Sequence, residues 1–242
     1  MARMFRRRHD QSRGEATPEE QTGPSLADGA LDEGDEPVDE LAGSPNRTSW
    51  GGPYDAAERE PEPGSLRMGA LTLPPLIPGV QLTVQGDPAT GAVSSIVLLG
   101  DEAALEVSAF AAPRSAGLWA QVRRELAAGL STQGGVVDEA VGPFGPELRV
   151  RLAARAPDGS EAVQPLRFVG VDGPRWFVRG VLSGRAALDE QAAAPFERWF
   201  AALVVDRGAE AMAPRTPLPL HLPESGAGQD PAGTPEPGAP EA

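Results

Sequence analysis

The chain has 242 residues, a formal net charge of −14 and no cysteine, and all 21 of its basic residues are arginine. These absences exclude disulfides, thiolate catalysis, cysteine-ligated metal sites, Schiff-base chemistry and a Walker A phosphate loop. The two histidines, His9 and His221, fall outside the predicted core, which argues against a histidine-dependent triad or a multi-histidine metal centre. No catalytic or metal-ligating residue is assigned, and no cofactor is implied. The scarcity of lysine, asparagine, isoleucine and tyrosine, all with A/T-rich codons, points to a high-GC bacterial genome.

Charge is unevenly distributed. Residues 1–14 carry five arginines and one aspartate, and residues 15–62 carry fourteen acids and two arginines. Residues 63–223 hold sixteen acids and fourteen arginines, and the last nineteen hold four acids and no base. The acidity therefore belongs to the ends, and residues 65–223 read as a single near-neutral domain. The arm 1–64 and the tail 224–242 are rich in Pro, Gly and acids and poor in aliphatic residues, so disorder is expected in both. Within the arm, Arg6-Arg7-Arg8 reads as a solvated terminus or a contact for an anionic partner. The segment TSWGGPYD places Trp50 and Tyr54 in an apolar-poor stretch, as a short binding motif, a patch docked on the core, or a pairing due to chance. No apolar region follows the basic start, and no apolar run reaches the ~20 residues of a membrane span, so a cytoplasmic protein is expected.

Order is predicted to begin near Leu66 with a Pro-broken, extended lead-in. A hairpin follows over 80–85 and 92–100, then a strand over 104–112 in which Leu105, Val107 and Ala109 alternate with Glu106, Ser108 and Phe110. Ser115 is placed as the N-cap of a helix with Leu118, Val122, Leu126 and Leu130 at four-residue spacing and Gly134-Gly135 as its stop. Arg123, Arg124 and Glu125 are assigned to its wet side. Strands over 136–141 and 148–155 come next, Leu148, Val150 and Leu152 alternating with Arg149 and Arg151. The stretch 163–184 holds the densest run of large apolar residues and reads as a central hairpin turning at Asp172-Gly173-Pro174, its second strand restarting at Arg175. A second helix over 188–203 presents Phe196, Trp199, Phe200 and Leu203, with Pro195 as a break or late start, and Leu218, Leu220 and Leu222 alternate as if lying along the domain. Consecutive hairpins with helices between blocks give an α+β fold: a mainly antiparallel sheet of six to seven strands packed with two main helices.

The stretches FAAPRSAGLW, VGPFGPELR, RFVGVDGPRWFVRGVLSGRAA and APRTPLPLHLP resemble the actinobacterial family called domain of unknown function 3710, over about 66–223. The acidic arm and the MFRRR-like start are also similar to that family's layout. The order of elements is more distantly similar to the Mog1/PsbP-like α/β sandwich. Neither resemblance implies an activity, a cofactor or a site residue.

The acidic neighbours Asp101-Glu102, Asp138-Glu139 and Asp189-Glu190 sit at element ends and read as turn and cap residues rather than an acid–base pair. The arginines attract more attention. Arg149, Arg151, Arg167 and Arg179 are candidates to line one sheet face, with Arg175 and Arg114 near its ends, as a binding surface for anions or acidic peptides. The competing reading is a solvated face neutralised by nearby carboxylates. The sequence thus favours a non-enzymatic protein-interaction or adaptor module with a protein partner, and the alternative is a binder of small or nucleotide-type anions. A near-neutral core behind an acidic arm argues against duplex DNA.

Overall fold

The computed structural model describes residues 51–87, 92–114, 117–156 and 158–221. The Arg6–Arg8 cluster, Trp50, Ser115, Leu222 and most of the acidic arm and tail lie outside the described residues. In chain order the elements are β1 (Tyr54–Asp55), β2 (Leu66–Met68), β3 (Leu71–Leu73), β4 (Gln81–Asp87), β5 (Ala92–Leu99), β6 (Ala103–Ala111) and α1 (Trp119–Thr132). They continue with β7 (Val136–Gly142), β8 (Gly145–Arg155), β9 (Glu161–Gly173), β10 (Trp176–Gly184), a 3-10 turn (Arg185–Ala187), α2 (Glu190–Ala201) and β11 (Val204–Val205).

Seven strands form one sheet in the order β4-β5-β6-β10-β9-β8-β7, antiparallel throughout. The β9–β10 hairpin lies in its interior, and its alternation sends apolar side chains to both faces. Val169, Val171, Trp176, Val178 and Leu182 face α2, where Phe196, Trp199 and Phe200 complete the larger core. Phe168 and Phe177 face α1 and pack with Leu118, Trp119, Leu148 and Val150. The antiparallel α+β class expected from the sequence is the class observed.

Four details differ from the expectation. The hairpin turn takes in Arg175, whose φ of 62° is left-handed, so β10 starts at Trp176. Pro195 lies inside α2 without ending it, and Asp189 caps that helix through bonds from the Gln191 and Ala192 amides. The lead-in builds β2 and β3 of a second sheet, ordered β1-β11-β3-β2, with β1 parallel to β11. Packed chain also starts upstream of 65: Tyr54 is in β1, the Tyr54 amide donates to Leu203 O at 2.9 Å, and the Trp176 indole donates to Asp55 at 2.8 Å. Tyr54 itself is half-buried, with the Arg59 guanidinium 4.7 Å from its ring centroid.

Candidate functional site

Helix α1 is seated by one tryptophan and one aspartate. Gly170 in β9 leaves room for the Trp119 ring, since a Cβ there would lie 2.3 Å from Trp119 Cδ2. The ring stacks at 5.9 Å on Phe177, and its Nε1 donates to Pro146 O at 2.6 Å. No side chain within α1 caps its N-terminus. Asp172 does so across the fold, accepting from the Leu118 amide at 2.7 Å and the Trp119 amide at 3.1 Å. Burial pushes the Asp172 carboxyl above its usual range, and the two amide bonds only partly oppose this. Arg123, assigned to solvent from its charge, is 1% exposed beneath the helix with Nε 3.4 Å from Glu139.

So anchored, α1 leaves a groove of about 340 Å³ between itself and the end of the sheet. Phe110 of β6 and Phe177 of β10, stacked at 5.9 Å, supply the floor, and Leu118, Val122, Leu126 and Leu130 supply the helix wall. Residues 215–220 run beside β6, with the Arg215 amide donating to Ala111 O and the Leu218 amide to Ala109 O. From this strap Arg215 grips Glu125 of α1 with two hydrogen bonds of 2.8 Å, which holds the Glu125 carboxyl below its usual range. Arg179 lies in the groove with its guanidinium carbon 5.7 Å from the Phe110 ring centroid. Its buried Nε has no hydrogen-bond acceptor among the described residues. Burial depresses its pKa, and Glu106 partly restores it.

The arginines singled out in the sequence do not share one face. Arg149, Arg151 and Arg167 lie on the α2 side, Arg149 directly opposite Arg167 in the register. Arg179 is on the α1 side, opposite Gly170. The first three are matched internally. Arg167, 5% exposed in its side chain, bonds Glu147 at 2.8 Å and Glu197 at 2.6 Å. Arg149 pairs with Glu147 at 3.0 Å and Arg151 with Asp138 at 3.2 Å. Arg175 donates to Gly208 O in the turn region, and Arg114 is exposed after β6. Of the six, only Arg179 enters the groove. The other groove residues include Phe110, Glu125, Gly129 and Arg215, whose sequence patterns read as strand, solvated helix and extended tail. Gly129 was the one available signal, a glycine inside the apolar stripe of a helix.

By class this is a mainly antiparallel α+β domain with one helix on each face of a seven-stranded sheet and an apolar groove beside α1 with an arginine in it. Among the described residues no cluster of His, Asp or Glu is arranged to hold a metal ion, and no helix is long and apolar enough to cross a membrane. The profile of the domain of unknown function 3710 family, described as a protein of unknown function, matches residues 52–229, and the chain belongs to that family. No curated protein matches it. A crystal structure of a protein from Bacteroides thetaiotaomicron is similar at a TM-score of 0.36 and 11% identity, over 58% of this chain and 47% of that one. The match thus spans less than half of that protein.

Proposed function

We propose that the chain is a non-enzymatic protein-interaction module whose recognition surface is the groove along α1. The observation that carries this reading is Gly129. It lies inside α1 facing the groove, and a Cβ built there meets nothing within 4 Å. A glycine inside a helix costs about 0.5–1 kcal/mol relative to alanine, and no packing among the described residues requires one here. The space is explained if an occupant fills it. The groove's shape favours a polypeptide segment: its lining runs from Leu118 to Gln133, and a 14-residue helix is roughly 21 Å long. Val122, Leu126, Leu130 and Phe110 are only half-buried and offer the apolar surface that segment would cover. The arginine-lined sheet face gets less support as an anion site, because its members already hold carboxylates.

The test is capture from native lysate on three full-length chains, wild type, Gly129→Ala and Gly129→Trp, read by mass spectrometry. A partner retained by wild type, weakened on Gly129→Ala and lost on Gly129→Trp, with all three equally folded, supports the groove. The same partners on all three, or none on any, refutes it.

A further inference from the structure

Resting on that reading, we infer that the segment entering the groove carries a carboxylate, set beside apolar residues, that pairs with Arg179. The groove's polar groups differ sharply in how well they are satisfied. Glu125 and Arg215 engage each other through two bonds, so neither has an urgent need for an outside partner. Arg179 is half-buried against Phe110, with a buried Nε that meets no acceptor among the described residues. Glu106, close enough to act on its charge, forms no ion pair with it. A desolvated donor left unmade is a standing cost, and a carboxylate removes it while matching the fork of the guanidinium. The surrounding walls are Val122, Leu126, Leu130 and Phe177, so the acid must arrive flanked by apolar side chains.

A random peptide library selected on the full-length wild-type chain tests this. The expected winners hold Asp or Glu next to at least two apolar residues. A synthesised winner should bind Arg179→Gln roughly 10- to 100-fold more weakly than wild type, with Arg179→Lys in between. The same peptide with its acid replaced by the amide should lose that factor on wild type and little more on Arg179→Gln, which probes the pair without altering the protein. Winners lacking an acid, or affinities indifferent to Arg179→Gln and to the amide, overturn the inference and leave the groove standing. Winners that bind Gly129→Trp as well as wild type overturn the groove reading itself. An empty selection overturns both.

Discussion

Arg167 should prove structural, and its removal separates the two faces of the sheet. Glu147 is 1% exposed and Arg167 5% exposed in their side chains, bonded at 2.8 Å, and Arg167 reaches on to Glu197 of α2 at 2.6 Å. Burial works against the Arg167 charge, but Glu147 and Glu197 outweigh it and raise its pKa. Arg167→Met leaves the Glu147 carboxylate buried without its main partner. Breaking a buried pair in this way costs about 3–5 kcal/mol, a large part of a typical stability of about 5–15 kcal/mol. The outer contact from Arg149, whose side chain is 49% exposed, is worth only about 0–1 kcal/mol. Replacing both partners, Glu147→Leu with Arg167→Met, removes the more deeply buried of the two stranded carboxylates, Glu197 being 16% exposed, and should cost clearly less than the two single changes added together. Urea unfolding followed by tryptophan fluorescence measures all three. With slopes of about 1–3 kcal/mol/M, the Arg167→Met midpoint should fall by 1 M or more. A loss under about 1 kcal/mol, or a double variant equal to the sum of the singles, would refute the reasoning. Because Arg167 faces α2, folded Arg167→Met should keep the groove's affinity.

Other perturbations follow from the same geometry. Gly129→Ala should raise stability by about 0.5–1 kcal/mol, or a few degrees in melting temperature, because the new methyl meets nothing; calorimetry checks it. Gly170→Ala drives a Cβ into the Trp119 ring and should cost about 1–3 kcal/mol, with a loss of near-ultraviolet dichroism as α1 is unseated. The raised Asp172 pKa means the folded state holds that proton more tightly than the unfolded one. Its contribution is therefore full below the usual carboxylate range and is lost as pH rises through the folded value. The stability of wild type relative to Asp172→Asn should accordingly shrink as pH rises above about 4, the usual aspartate value, and a difference that grows instead contradicts the assignment.

Local periodicity carried the sequence reading a long way. Within each strand of 163–184 the period-two rule alone puts Trp176 and Val178 on the face opposite Phe177 and Arg179, as observed. What it lacked was the register between strands. Val178 pairs with Val171, so Arg179 and Arg167 lie on opposite faces, and no single strand's pattern contains that fact. The difference at Arg123 has another cause: its four-residue spacing from Trp119 already puts it under the helix, beside Glu139 of β7, while its charge alone argues for solvent. Arg175 enters the left-handed region after Pro174, a turn whose residue types allowed an earlier strand start. The second sheet is built from strands of two and three residues, too short to show any period. The groove needs α1, β6, β10 and the strap together, so only Gly129 announced it.

Whether partners meet the groove can be read by photocrosslinking in native lysate, with benzoylphenylalanine placed either at Gln133 on the groove rim or at Val163. Val163 is exposed on a strand of the same sheet and does not line the groove. A discrete adduct from position 133, absent from position 163 and abolished by Gly129→Trp, is the expected result. Adducts from 163 alone, or from 133 regardless of residue 129, would contradict it.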